Sequence, residues 1–120
     1  MTPTVLETNL EGLAPPKRGK VRNIYDLGDS LLIVATDRIS AFDVVLPNAI
    51  PGKGRVLTQI SKYWFAKTAD IVPNHLLTTD VREYPAPCRR HAEILEGRSM
   101  LVRKAKPLPV ECIARMRSES

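Results

Sequence analysis

Residues 17–26 read Lys17-Arg18-Gly19-Lys20-Val21-Arg22-Asn23-Ile24-Tyr25-Asp26, a basic cluster around one glycine that runs into apolar residues. After the turn signal Gly28-Asp29, a second apolar run follows at residues 31–35. The β-branched and aromatic content of both runs favours strands over helix. The stretch therefore predicts a β-hairpin over residues 19–36, with its first strand starting at a glycine flanked by cations.

Two interpretations fit this glycine and its cations, a phosphate site and a solvated sheet edge. Glycine lets a backbone approach a ligand closely, and N–H groups beside Lys20 and Arg22 suit a phosphate. Lys and Arg also blunt exposed sheet edges, in which case the cluster is only solvated. Short basic patterns with one glycine are common, so this stretch taken alone favours the solvated edge over a phosphate site.

The composition limits the class of protein. A chain of 120 residues, of which 43% are hydrophobic and 26% charged, is typical of one globular domain. No apolar run approaches the roughly 20 residues of a membrane span, and the first residues carry no secretory pattern. Cys88 and Cys112 form no CxxC pair. We therefore expect a cytoplasmic protein with reduced thiols and no membrane partner.

The net charge of +5 indicates an anionic partner, either nucleic acid or a nucleotide or sugar phosphate. The cations occur as scattered pairs beside glycines and prolines, which suits a folded pocket better than a disordered basic tail. Aromatic residues make up only 5% of the chain, which argues against a base-stacking platform for single-stranded nucleic acid. Charge and composition therefore leave both nucleic acid and small phosphorylated molecules open as partners.

Residues 36–43 concentrate polar side chains, among them Asp37, Arg38, Ser40 and Asp43. So many polar groups cannot be buried without partners. A binding-site loop and a surface loop with local side-chain-to-backbone hydrogen bonds explain the segment equally well. The apolar run that follows, residues 44–46, is predicted to end in a turn at Pro47-Asn48.

One long helix is predicted over residues 55–70. Leu57, Ile60, Trp64 and Ile71 fall on a single helical face, which we assign to the core. Trp64 is therefore interpreted as a packing residue rather than as a platform for a cofactor. Residues 1–16, which end in Ala14-Pro15-Pro16, are interpreted as a lead-in to the domain.

The remaining pattern predicts strands over residues 76–79, 99–105 and 110–115, and a short helix over 88–95 ending at Gly97. The proline-bearing connector at 106–109 is either a tight crossover, which the pattern favours, or a source of unpaired backbone groups for a flat heterocycle such as adenine. Cys88 and His91 lack a second pair of ligands, so we predict no zinc site. The predicted fold class is α+β, an antiparallel sheet with one or two helices packed on one side.

Five segments, taken in order, resemble the phosphoribosylaminoimidazole-succinocarboxamide synthases, the SAICAR synthetases of purine biosynthesis. They are Gly19-Lys20-Val21-Arg22-Asn23-Ile24-Tyr25, Ala35-Thr36-Asp37-Arg38-Ile39-Ser40-Ala41-Phe42-Asp43, Ile50-Pro51-Gly52-Lys53-Gly54, Leu95-Glu96-Gly97-Arg98-Ser99-Met100 and Lys106-Pro107-Leu108-Pro109-Val110-Glu111-Cys112. The resemblance implies an ATP-dependent ligase that joins L-aspartate to carboxyaminoimidazole ribotide, with Mg²⁺ as helper. It also implies an N-terminal domain distantly like the small lobe of protein kinases, with ATP between that domain and a second one. The partners that it implies are small-molecule substrates, with no nucleic acid.

Carried over position by position, the resemblance assigns roles to twelve positions of this sequence. The loop over the ATP phosphates would comprise Gly19, Lys20, Val21 and Arg22, of which Lys20 and Arg22 would also be catalytic. The hinge facing adenine, and the strand leaving it, would comprise Lys106, Pro107, Leu108 and Glu111. The part facing the imidazole nucleotide and aspartate would comprise Ser40, Asp43, Lys53 and Arg115.

Within this resemblance, residues 17–115 would be the ATP-binding domain and residues 116–120 a divergent tail. The second domain of the family, with the acidic residues that hold Mg²⁺, is expected to be missing. We therefore expect an N-terminal fragment with little or no ligase activity alone. The competing hypothesis is a basic module that binds nucleotide or nucleic acid without catalysis.

Overall fold

The structure is a computed structural model that describes residues 4–41, 44–106, 108–110 and 112–113. In these ranges the chain forms seven strands, three helices and one 3-10 turn. The strands are β1 (Lys17–Arg18), β2 (Arg22–Asp26), β3 (Ser30–Ala35), β4 (Arg38–Ala41), β5 (Val44–Ala49), β6 (Leu76–Thr78) and β7 (Ser99–Arg103). The helices are α1 (Lys53–Lys67), α2 (Ala86–Arg89) and α3 (Ala92–Leu95), and the 3-10 turn is Val81–Glu83.

The main sheet has the order β1-β2-β3-β7-β6, and every neighbouring pair in it is antiparallel. β4 and β5 form a separate two-stranded sheet. The predicted hairpin is β2 and β3, joined by a turn in which Gly28 has a φ of 100° and donates its N–H to Asp26 Oδ1 at 2.9 Å. The predicted α+β class, built on an antiparallel sheet, is confirmed.

The hydrophobic core lies on one face of the main sheet. Tyr25, Leu32 and Val34 point into it, and α2 and α3 cover it with Cys88 and Leu95. The amino-terminal segment, which the sequence suggested was only a lead-in, contributes to this core as well, since Leu10 is buried in it and Leu13 packs against it.

Helix α1 packs on the opposite face of the sheet, so helices cover both faces rather than the one side predicted. Thr58 and Phe65 of α1 lie against Ile33 and Met100, which alternate with the core-facing residues of their strands. The helix starts two residues before the predicted position 55 and ends three before the predicted position 70.

The buried face of α1 is not the predicted one. Leu57, Ile60, Trp64 and Ile71 are 36%, 49%, 54% and 77% exposed, so Trp64 is not a core residue. The residues of α1 that are buried are Gly54 and Thr58. Small side chains let the helix axis approach the sheet closely, whereas hydrophobic periodicity marks only an apolar face and does not say what covers it.

Three local predictions differ from the structure in other ways. The turn predicted at Pro47-Asn48 is wrong, because both residues lie inside β5. A strand in a two-stranded sheet has an unpaired edge, which tolerates the missing N–H of proline. The helix predicted over 88–95 is divided into α2 and α3. Of the strand predicted over 110–115, the described residues Val110, Cys112 and Ile113 are not in a strand.

Candidate functional site

The predicted phosphate loop is the tight turn that joins β1 to β2, residues 19–22. The N–H of Gly19 donates to the carbonyl oxygen of Arg22 at 2.7 Å, which closes the turn. The side chains of Lys20 and Arg22 are exposed, and Val21 is half-buried. The structure therefore presents two cations of the turn on the protein surface, at one end of the main sheet.

A buried arginine lies directly beneath this turn. Only 2% of Arg38 is exposed, and its guanidinium donates to three carbonyl oxygens of the turn. Nε lies 3.1 Å from the Lys20 oxygen, and Nη2 lies 3.2 Å and 3.3 Å from the Gly19 and Arg22 oxygens. The fourth carbonyl of the turn, that of Val21, accepts hydrogen bonds from the N–H of Thr36 at 3.0 Å and from its hydroxyl at 2.6 Å.

These bonds orient the peptide planes of the turn. In a trans peptide the C=O and the following N–H point in opposite directions. Because the carbonyls of Gly19 and Lys20 face the guanidinium, the N–H groups of Lys20 and Val21 face away from it. Backbone N–H groups turned outward beside cationic side chains are an arrangement that suits a phosphate.

The Arg38 guanidinium is held in turn by a buried polar network. It donates to Leu6 O at 3.1 Å and to Asn23 Oδ1 at 2.9 Å. Asn23 Nδ2 donates to Thr8 Oγ1 at 2.8 Å, and Thr8 Oγ1 lies 2.6 Å from the Tyr25 hydroxyl. Burial lowers the pKa of Arg38 from its ordinary value, and Glu7, 3.5 Å away, opposes that shift. The group nevertheless stays cationic at neutral pH.

A cavity of about 580 Å³ opens on the side of the sheet that carries α1. Ile24 of β2 and Leu31 of β3 give it apolar walls, while Lys17 and Arg103 contribute positive charge. Ile24 follows Arg22 by two residues, so the two side chains emerge on the same face of the strand. Such a concave site, mostly apolar with a few polar groups, is of a kind that holds small molecules.

The predicted adenine hinge begins at the border of this cavity. Ala105 lines the cavity, and Lys106 follows it directly. Lys106 and Leu108 are exposed, whereas Pro107 and Glu111 lie outside the described residues. Asp26 also lines the cavity, and the Lys104 ammonium donates to Asp26 Oδ2 at 2.7 Å and, by that hydrogen bond, lowers the pKa of Asp26.

The described part of the segment 36–43, residues 36–41, is not a surface loop, because Thr36, Asp37 and Arg38 are buried and residues 38–41 form β4; the binding-site interpretation stays a prediction. Asp37 pairs with Arg98 at 2.9 Å, and both side chains are at most 1% exposed. The Asp37 carboxylate also accepts hydrogen bonds from the N–H groups of Val5 and Gly54, each at 2.8 Å. Burial alone would raise the pKa of Asp37, but these hydrogen bonds hold it below its ordinary value.

The two predicted substrate-binding residues that the structure describes, Ser40 and Lys53, lie close in the chain to Asp37 and to its hydrogen-bond partner Gly54, respectively. Ser40 lies in β4, three residues beyond Asp37, and is half-buried. Lys53 is the first residue of α1 and precedes Gly54, whose N–H is bonded to Asp37. The other two residues predicted to face the substrates, Asp43 and Arg115, lie outside the described residues.

Sequence analysis assigned no role to three residues that form the buried contacts of this site, namely Asp37, Arg38 and Arg98. A signal was present in the excess of polar residues at 36–43, which requires buried partners. The partners themselves lie 61 residues away, in the case of Arg98, or are backbone carbonyls, in the case of Arg38. Neither kind of pairing has a local sequence signature.

Among the described residues, no group of three or more His, Cys, Asp or Glu side chains is placed to hold a metal ion. Cys88 is buried, and burial raises the pKa of its thiol. His91 Nε2 lies 2.8 Å from the carbonyl oxygen of Glu11. None of the described helices is long and apolar enough to cross a membrane.

Comparison with known proteins identifies the family. The sequence matches the family model described as SAICAR synthetase over residues 16–119. It is 64% identical over 115 residues to the phosphoribosylaminoimidazole-succinocarboxamide synthases of Geobacter sulfurreducens and of Thermodesulfovibrio yellowstonii, covering 96% of this chain and 39% of each relative. The chain therefore spans about two fifths of the length of these relatives.

Solved structures agree with the sequence comparison. A structure named SAICAR synthase superimposes with a TM-score of 0.79 at 42% identity, covering 88% of this chain and 39% of that one. The SAICAR synthase from Saccharomyces cerevisiae in complex with SAICAR gives a TM-score of 0.71 at 39% identity, covering 86% and 38%. On these sequence and structural matches, the chain belongs to the SAICAR synthetase family.

Proposed function

We propose that this chain is the nucleotide-binding part of an ATP-dependent carbon–nitrogen ligase of purine biosynthesis. The reaction would join L-aspartate to carboxyaminoimidazole ribotide, giving SAICAR, ADP and phosphate. The observation that carries the proposal is the turn 19–22, whose carbonyls are fixed from beneath by Arg38 and Thr36 while Lys20 and Arg22 stay exposed. Family membership supports the same assignment.

The proposed ATP site has two parts, one for the triphosphate and one for the adenine ring. The triphosphate would lie on residues 19–22, bound by outward N–H groups and by the Lys20 and Arg22 side chains. The adenine ring would lie in the cavity against Ile24 and Leu31. Its polar edge would face the connector composed of Lys106, Pro107 and Leu108, with Glu111 beyond it.

The chemistry explains why cations are required at the turn. The carboxylate of the imidazole nucleotide attacks the γ-phosphorus of ATP, ADP leaves, and an acyl phosphate forms. The amine of aspartate then attacks the acyl carbon and releases phosphate. Negative charge develops on the transferring phosphoryl oxygens, and Lys20 and Arg22 stabilise that charge in place. Ser40, Asp43, Lys53 and Arg115 would face the imidazole nucleotide and aspartate.

The resemblance to the family implies Mg²⁺, which neutralises phosphate charge when it is bound. The described residues provide no cluster of acidic ligands for the ion. None of the described residues is therefore proposed as a ligand of Mg²⁺. Because these 120 residues correspond to about two fifths of the length of the relatives, we expect the purified 120-residue chain to bind ATP without forming SAICAR in the assay.

The test is isothermal titration of the purified 120-residue chain with ATP, with Lys20→Ala as the site variant. We expect Lys20→Ala to weaken ATP binding by about tenfold, because a charge-assisted contact to phosphate is lost. Lys62→Ala removes an exposed lysine of α1 and serves as the matched control, with unchanged affinity.

Three outcomes would contradict the proposal. ATP binding that is absent, or that Lys20→Ala and Lys62→Ala weaken equally, would exclude a specific phosphate site at the turn. Affinity for single-stranded or duplex nucleic acid that exceeds the affinity for ATP and collapses steeply with salt would favour the basic binding module instead. SAICAR formed by the chain alone would refute the expectation that these residues hold only part of the active site.

A further inference from the structure

The conformation of the turn 19–22 depends on a residue that is distant in sequence. Arg38 donates hydrogen bonds to three of the four turn carbonyls, and Thr36, two residues before it, donates to the fourth. A turn that contains glycine has many accessible backbone conformations when nothing holds it. The turn is therefore shaped from beneath, by Thr36 in the connection between β3 and β4 and by Arg38 at the start of β4.

The two buried arginines of the described chain differ in what their hydrogen bonds hold. Arg98 pairs with the buried carboxylate of Asp37 at 2.9 Å, as buried charges generally do. Arg38 instead directs its donors to five oxygens that carry no formal charge, three of them in the turn. The carboxylate of Glu7 is 3.5 Å away, but 55% of that side chain is exposed to solvent.

We propose that Arg38 is the positioning residue that fixes the turn 19–22 in its phosphate-binding conformation. This inference rests on the proposed function, since it concerns the same ATP site. Arg38 does not touch the ligand. Its planar fork spans several carbonyls at once, which turns the backbone N–H groups of the turn outward before any phosphate arrives, and such preorganisation increases affinity.

A lysine at this position tests the inference, because it keeps the charge but replaces the fork by a single ammonium group. Arg38→Lys should bind ATP and inorganic tripolyphosphate about tenfold more weakly than the wild-type chain, a change of about 1.4 kcal/mol for each ligand. Its affinity for adenosine, which lacks phosphates, should be unchanged. This split between phosphates and nucleoside would not result from a general loss of stability.

Cys88→Ala is the control for stability. Cys88 is buried in α2 and borders a cavity beside the turn 27–29, at the opposite end of β2 from residues 19–22. This variant should lower the melting temperature and leave all three affinities unchanged. Thr36→Val is a second, milder site variant, since it removes the hydroxyl bond to Val21 O and the bond that the hydroxyl accepts from the N–H of Arg38 at 3.3 Å. It should weaken tripolyphosphate binding by about threefold and decides the question if Arg38→Lys does not fold.

The outcomes separate this inference from the proposed function. Suppose that the wild-type chain binds tripolyphosphate and that Lys20→Ala weakens this binding, as the proposed function requires. If folded Arg38→Lys and Thr36→Val then bind tripolyphosphate as tightly as the wild-type chain, Arg38 has no positioning role. If both variants weaken adenosine as much as tripolyphosphate, the effect is a general one and the inference is wrong. If wild-type chain binds neither ATP nor tripolyphosphate, the proposed function fails and this inference fails with it.

Discussion

Replacing Gly54 with alanine tests how closely α1 approaches the sheet. Gly54 is buried in the first turn of the helix, and its N–H donates to Asp37 Oδ1 at 2.8 Å. A Cβ at this position would overlap the carbonyl oxygen of Ala35 and lie 2.8 Å from Arg98 Nη1. Since the Ala35 carbonyl is backbone and Arg98 is fixed by its ion pair, the first turn of α1 must move away from the sheet.

Three contributions determine the change in the free energy of unfolding. One stabilises the variant and two destabilise it. Helix propensity alone would make Gly54→Ala more stable by about 1 kcal/mol. Overpacking against a fixed backbone costs about 1–3 kcal/mol. Loss of the hydrogen bond from the Gly54 N–H to the buried Asp37 carboxylate costs about 1.5–3 kcal/mol. The expected net loss in the free energy of unfolding is roughly 1.5–5 kcal/mol, opposite in direction to the effect of propensity.

Urea unfolding followed by far-ultraviolet circular dichroism measures this difference. The matched control is Ala66→Gly at an exposed position of α1, where only propensity acts and the loss should be about 1 kcal/mol. A Gly54→Ala variant as stable as the wild-type chain, or more stable, would refute the close approach of α1 to Ala35 and the role of Asp37 in holding the helix.

Three further measurements test other parts of the structure. Because the pKa of Asp37 is lowered from 3.8, its stabilising effect is complete above about pH 4 and declines as the pH falls below that value. The free energy of unfolding should therefore fall more steeply on acidification in the wild-type chain than in Asp37→Asn. Equal slopes would contradict the lowered pKa. Leu95→Ala should lower the free energy of unfolding by about 2–5 kcal/mol, because it opens a cavity in the core; a loss within experimental error would place Leu95 outside the core. Trp64→Ala should cost less than about 1 kcal/mol, since 54% of Trp64 is exposed, whereas a core tryptophan would cost about 3–5 kcal/mol.

The elements that sequence predicted well are those that local signals determine. The β2–β3 hairpin has a glycine turn between two β-branched runs, and its register follows from that turn. The long helix was placed within three residues at each end, because apolar periodicity marks the extent of a helix. The face it buries could not be predicted, since Gly54 and Thr58 pack through their small size and not through hydrophobicity.

The candidate site was predictable only at its surface. The exposed cations Lys20 and Arg22 are part of a recognisable motif, but the residue pattern predicts a strand from Gly19, whereas the structure has a turn there and β2 starts only at Arg22. The residues beneath it make contacts that depend on the whole fold. Arg38 reaches carbonyls 16–19 residues earlier in the chain, and Asp37 reaches Val5 and Arg98 across 32 and 61 residues.

The long span of the Asp37 contacts has a consequence for the order of folding. Closing large loops costs chain entropy before the contacts that close them contribute any stability, so such contacts form late. The hairpin of β2 and β3 can pair as soon as residue 35 is available, but the Asp37 carboxylate remains without its cation until residue 98 has been synthesised. During synthesis, the exposed cations of the turn are thus present long before the interior charge pair that anchors the adjoining segment.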